Sequence, residues 1–127
     1  MAVTHLNPAS LHRSPVYAAG AVGSGTRTVY VGGQNGTDAA GAIEGDLVTQ
    51  TEQALRNVLA VLAEAGATQR EVVRLAIYVK DGADIQEGFG AAQEVWGNYA
   101  VPLTVVVVAG LARPEAVVEI EAVAVLD

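Results

Sequence analysis

Two carboxylates stand inside an otherwise apolar segment, Val117 to Leu126, which reads VVEIEAVAVL. Side chains alternate along a strand, so Glu119 and Glu121 share one face with Val123 and Val125, while Val118, Ile120, Ala122 and Ala124 take the other. A carboxylate in such surroundings must reach water, a donor or a partner subunit, because burying it unpaired is costly. Carboxylates are also groups that position a water molecule or take its proton. Other chemistry-bearing residues are few. Thr104 is the one hydroxyl in the apolar run Leu103 to Ala109, and Gly32-Gly33-Gln34 closes an earlier strand. Arg113 lies in the turn before Pro114, where it either reaches a neighbouring subunit's cleft or is simply solvated. His5 and His12 share no helix or strand that would aim them at one ion, and no metal site is expected from them.

The elements that must position these residues can be read in order. Val3 to Leu6 predicts a short first strand, followed by a loop punctuated by Pro8. Tyr17 to Val22 and Arg27 to Gly32 predict a hairpin around the turn Gly23-Ser24-Gly25-Thr26. A Gly-Gly at a strand end is read either as a bulge or bend or as a point where backbone approaches a ligand. Residues 46–66 predict a helix capped by Asp46 and ended by Gly66, with an apolar stripe at Leu47, Thr51, Ala54, Leu55, Val58, Leu62 and Ala65. Thr68 should cap a short turn into a strand at Val72 to Lys80. There Val73, Leu75, Ile77 and Val79 alternate with Arg74, Ala76, Tyr78 and Lys80. Residues 84–99 predict a second helix with Ile85, Phe89, Ala92 and Trp96 on one stripe, its glycines each costing roughly 1 kcal/mol against alanine. Leu103 to Ala109 reads as a strand covered on both faces, and Val117 to Leu126 as the closing strand.

The resulting order, β-β-β-α-β-α-β-β, contains two helical crossovers. Right-handed crossovers leave both helices on one face of the sheet. The expected fold is therefore α+β, a single domain over residues 1–127 with a mixed sheet of about six strands and two helices packed on one face. Composition suggests what covers the other face. The chain is 51% hydrophobic but only 5% aromatic, so small apolar residues exceed what so short a chain can bury internally, and other copies of the chain are the natural cover. Seven basic against 14 acidic residues, a formal charge of −7, argue against nucleic acid as a partner. Cysteine is absent, which excludes thiolate catalysis, disulfides and cysteine metal sites. No secretory signal or membrane-length apolar run is read, so a soluble, cytoplasmic protein with no membrane partner is expected.

Three stretches together carry a family resemblance. Pro15, Tyr17 and Gly20 precede a strand ending in Gly32-Gly33-Gln34; Tyr78-Val79-Lys80-Asp81 ends another; and Pro102, Pro114 and Val118 to Val125 close the chain. In this order and spacing the chain resembles the Rid family, also called YjgF, whose best-studied members hydrolyse reactive imines and enamines. The resemblance covers nearly the whole chain. It implies a fold similar to bacterial chorismate mutase, assembled as a homotrimer whose sheets form an inner barrel, with small-molecule clefts between subunits and no cofactor. It further implies that Glu119 positions the attacking water and that Tyr17, Gly32, Gly33 and Thr104 contact the ligand. Members often carry a polar pocket-lining residue near Phe89, so Phe89 implies a different fit. The main departure is Thr104, which stands where imine-hydrolysing members carry arginine. Losing a charge-assisted contact in a dry site costs roughly 2–5 kcal/mol. Three functions are thus implied: hydrolysis of an imine, enamine or related reactive metabolite with altered specificity; a non-catalytic trimer that binds a metabolite or a protein; or a structural trimer whose pocket is vestigial.

Overall fold

The computed structural model describes residues 2–127. Strands β1 (Val3–Leu6) and β2 (Gly20–Gly23) pair antiparallel as a two-stranded ladder. Strands β3 (Arg27–Gln34), β4 (Val72–Lys80), β5 (Leu103–Val108) and β6 (Val118–Leu126) form a mixed sheet in the order β3-β6-β4-β5. Helices α1 (Leu47–Glu64) and α2 (Ile85–Trp96) pack against one another, and the core lies between them and the sheet. The order of elements is the one expected, and β4 and β5 are parallel neighbours joined through α2.

The strand β6 sits between β3 and β4, antiparallel to both. Its period of two is complete: Val118, Ile120, Ala122, Ala124 and Leu126 are buried, while Glu119, Glu121, Val123 and Val125 are half-buried on the outer face. Beneath it α1 buries Thr51, Ala54, Leu55, Val58 and Leu62. Burying side chains such as Leu55, Val58 and Leu62 stabilises the fold by roughly 1.5–3 kcal/mol each. The Asp46 carboxylate accepts from the Thr49 N–H at 3.0 Å and starts α1; Gly66, at φ +83°, supplies the left-handed turn after it. Thr68 and Glu71 form a reciprocal capping box on the short 3-10 turn Gln69–Glu71 that leads into β4.

Four expectations need correction. The hairpin does not form: β2 pairs back with β1, and β3 pairs with β6. The inward residues Val29 and Val31 of β3 need the apolar face of β6, and the turn between β2 and β3 is pressed on the end of that strand. A Cβ on Gly25 would lie 2.7 Å from the Leu126 carbonyl oxygen. Second, the alternation of β4 breaks at Val73, where a bulge lies between Val72 and Arg74. Val73 turns toward β2, and a Cβ on Gly23 would be 2.9 Å from its Cγ1. Third, β5 is an edge strand, and Thr104, Val106 and Val107 are exposed because nothing in the chain packs on them. Fourth, α2 stops at Trp96, where Gly97 adopts φ +83° and the indole N–H donates to the Tyr99 carbonyl at 3.1 Å.

Candidate functional site

The outer face of the sheet gathers the polar side chains. Across β6, β4 and β5 the register sets Glu121 opposite Ala76 and Ala76 opposite Thr104; the adjoining row is Glu119, Tyr78 and Val106. Strands lie about 4.8 Å apart, so Thr104 and Glu121 stand roughly 10 Å from each other across the small side chain of Ala76. That small residue leaves a concavity of about 230 Å³, walled by Tyr30, Gly32, Arg74, Ala76, Glu121 and Val123.

Glu119 is held by the shape of β3. The ladder between β3 and β6 is irregular between Val31 and Gln34, which frees Gly32 and Gly33 from regular pairing. A Cβ on Gly33 would fall 2.7 Å from Glu119 Oε2 and 2.9 Å from its Cδ. Only glycine lets the carboxylate lie against the main chain there. Gly32 has open space in the same test. Beyond the bulge the loop is tethered: Asn57 Nδ2 donates to the carbonyls of Asn35 and Thr37, and Arg113 Nη1 donates to Gly41 O at 2.8 Å. Arg113 also pairs with Glu115 at 3.3 Å. This arginine, its side chain 41% exposed, therefore ties its turn to the loop at Gly41 from the surface of the chain.

Glu121 differs from Glu119 in having a fixed partner. The Tyr78 hydroxyl donates to Glu121 Oε1 at 2.7 Å. This hydrogen bond, with burial and the carboxylate's charge, pushes the phenol above its ordinary pKa, so Tyr78 stays protonated and acts as a donor. Sequence reading gave Glu121 to backbone or a partner subunit, and assigned no role to Tyr78 or Arg74. The signal was present in the polar face of β4; what the sequence lacked was the neighbouring strand.

Of the residues singled out from sequence, Gly33 and Glu119 are in close approach, and Thr104 lies on the same face in the adjoining row. Gly32 borders the concavity. Tyr17 is half-buried at the start of β5, beside the bridge from Ala18 to Pro102, and belongs to neither cavity wall. Phe89 lies on the opposite side of the sheet, in a cavity beneath α2. Among the described residues no group of three or more His, Cys, Asp or Glu side chains could hold a metal ion, and no helix is long and apolar enough to cross a membrane.

Residues 5–126 match the family model described as Endoribonuclease L-PSP. The chain belongs to the Rid/YjgF family. A RutC family protein of Pyrococcus abyssi is 33% identical over 85 residues, which is 65% of this chain and 64% of that protein, so the match spans less than two thirds of the relative's length. The mouse 2-iminobutanoate/2-iminopropanoate deaminase is 34% identical over 105 residues, covering 78% of this chain and 74% of the mouse protein. Among solved structures, the conserved Rid family protein YyfB of Yersinia pestis superposes with a TM-score of 0.89 at 32% identity, covering 99% of this chain and 100% of its own. Rv2704 of Mycobacterium tuberculosis, a member of the YjgF/YER057c/UK114 family, gives 0.69 at 31% identity, covering 98% and 99%. The Rid fold, with its two helices and six strands, is thus shared with relatives of similar length.

Proposed function

We propose that this Rid-family chain hydrolyses a small imine or enamine on the outer face of its sheet, as a homotrimer whose subunits close that face into shared clefts. The observation that carries the reading is the close approach of Gly33 to Glu119. It holds a carboxylate against bare main chain, where a water molecule can sit between it and a ligand. In the reaction, Glu119 takes a proton from water as its oxygen bonds to the imine carbon. The C=N π pair moves onto nitrogen, which takes the proton held by Glu119 and gives the carbinolamine; Glu119 then carries the hydroxyl proton to nitrogen as the C–N bond breaks, so the carbonyl forms and ammonia or an amine leaves. The chemistry balances with water and one proton carrier. The named activity of the mouse relative supports this class of C–N substrate. A phosphodiester substrate is disfavoured by the formal charge of −7.

Thr104 sets the preference. It offers a hydroxyl and no charge, so the substrate is anchored by hydrogen bonding more than by a carboxylate. Tyr17 reaches the cleft from a neighbouring subunit in this reading. Tyr30, at 77% exposed, and Val106, at 42%, are apolar surface on that face that assembly would cover. The missing charge at Thr104 also favours a second reading, a non-catalytic trimer that binds a small metabolite or a protein.

An amino-acid oxidase generates imines in situ, and semicarbazide traps them. Added protein should lower trapping, and Glu119→Gln should abolish the effect while remaining folded. Unchanged trapping for every imine, with or without a carboxylate, would leave the binding reading. A monomer mass by light scattering at micromolar concentration would remove the shared cleft.

A further inference from the structure

The helix-facing side of the sheet encloses a different kind of space. A cavity of about 100 Å³ lies between α1, α2 and strands β4 to β6. Its walls include Leu55 from α1, Phe89 and Trp96 from α2, and Ile77 and Leu103 from the sheet. No lining side chain carries a charge. The exposed Pro15 and Val16 are among its lining residues, and Glu119 and Glu121 are not.

Thr51, Gln93, Asn98 and Tyr99 bring polar groups to an otherwise apolar lining, and one of them is buried without a partner. Thr51 is only 4% exposed, it lines this cavity, and its Oγ1 has no hydrogen-bond partner. Buried hydroxyls are nearly always satisfied, and a threonine within a helix commonly bonds the carbonyl one turn back. Thr51 does neither. An unsatisfied hydroxyl in an apolar wall is a recognition element waiting for one polar atom.

We propose that this cavity is a second binding site, specific for a small uncharged molecule with an apolar body and a single oxygen, such as a short alcohol, aldehyde or ketone. The Thr51 hydroxyl bonds that oxygen, and Leu55, Phe89 and Leu103 enclose the hydrocarbon part. An ion is rejected because the walls offer no counter-charge for the hydration it would lose. Size sets a second limit. A dry cavity of about 150 Å³ holds benzene, so this one, at about 100 Å³, takes a body of about four non-hydrogen atoms. The site is independent of hydrolysis at the outer face, from which the sheet separates it.

The test is a titration of the full chain, carrying carbon-13-labelled methyl groups, with acetone and with dissolved isobutane, its apolar counterpart of equal heavy-atom count, followed by NMR. Saturable shifts confined to Leu55, Ile77 and Leu103 are expected with both probes. Thr51→Val should weaken acetone about tenfold, the worth of one net hydrogen bond, and leave isobutane unchanged. Thr51→Ser should retain acetone binding. Ala92→Leu, filling the space from α2, should abolish binding of both probes, with circular dichroism reporting the fold. The absence of saturable shifts in the wild-type chain, shifts centred on Val123 and Val125, or an equal loss of both probes in Thr51→Val would overturn the proposal.

Discussion

Replacing Gly33 by alanine separates the stability of this chain from its chemistry. Gly33 does not occupy a positive φ, so alanine is sterically admissible there. Removing glycine's freedom in the unfolded chain stabilises a protein by about 0.4–1 kcal/mol at such a position. Against this stands one collision: the new methyl would lie 2.7 Å from Glu119 Oε2 and 3.1 Å from its Cγ. Non-bonded carbon contacts are comfortable at about 3.5 Å or more, so the carboxylate must withdraw by about 1 Å. Glu119 is half-buried and its end is flexible, so it can do so cheaply. The two stability effects are of similar size, and the melting temperature should move by no more than a few degrees. Activity should respond differently, because about 1 Å of misplacement costs on the order of 100-fold in rate. Gly33→Ala should therefore resemble Glu119→Gln in the imine-trapping assay while matching the wild type in thermal unfolding. Gly32→Ala is the comparison within the same bulge: a Cβ there meets nothing within 4 Å and does not displace Glu119, so a loss in that variant reports on Gly32 and the bulge and not on the carboxylate. Full activity in Gly33→Ala would refute the assignment of Glu119, and equal losses in both glycine variants would point to the bulge's conformation instead.

Three further outcomes follow from the same geometry. Gln50→Leu removes bonds from Nε2 to the carbonyls of Gly45 and Glu115 and to Oε1 from the Val117 N–H, all at 3.1 Å or less; losing three hydrogen bonds at about 1 kcal/mol net each should cost roughly 3 kcal/mol, read from the urea midpoint. The Asp46 carboxyl is held below the usual aspartate range by the Thr49 N–H and hydroxyl, so its contribution is present above the unfolded pKa and is lost as pH falls through the lowered folded value; the melting-temperature advantage of wild type over Asp46→Ala should fade in acid. Tyr78 should ionise at higher pH than an ordinary tyrosine, and Glu121→Gln should move the last-titrating phenolate absorbance to lower pH; an unchanged titration curve would mean the hydrogen bond is not held in solution.

Periodicity made much of the fold legible. The helix stripe, the Asp46 cap and the faces of β6 depend on neighbours within one element, and each appears in the structure where the spacing put it. Pairing partners were less accessible. Glycine and serine between two apolar runs signal a hairpin, yet β3 joins β6, nearly a hundred residues away, because that strand offers the longer apolar face. Gln50 reads as a polar helix residue, and only the return of residues 115–117 over α1 makes it a buried clamp. In the candidate site, Glu119 and Gly33 were each visible, but their approach depends on a bulge whose position no single strand encodes. Phe89 was assigned from family resemblance, and within this chain its stripe faces the core beneath α2.

Two bulges flank β6, and together they account for how one strand can serve both a core and a site. A slip of one residue in the pairing of β6 would drive Glu119 and Glu121 into the apolar layer against α1, so its register must be held firmly. The bulge on β3, between Val31 and Gln34, lets the ladder absorb the extra length of Gly32-Gly33 on the outer side without shifting Val31, which stays buried opposite Ala122. The bulge on β4 diverts Val73 toward β2 and brings Arg74 opposite Val123, in phase with Ala76 and Tyr78. It thereby anchors the β1–β2 ladder with an apolar side chain and adds a guanidinium to the wall of the outer concavity. Removing either irregularity would leave the inner pattern intact but change which side chains face the carboxylates. The inner face is therefore determined by hydrophobic alternation alone, whereas the chemistry of the outer face is determined by the two places where the neighbouring strands depart from it.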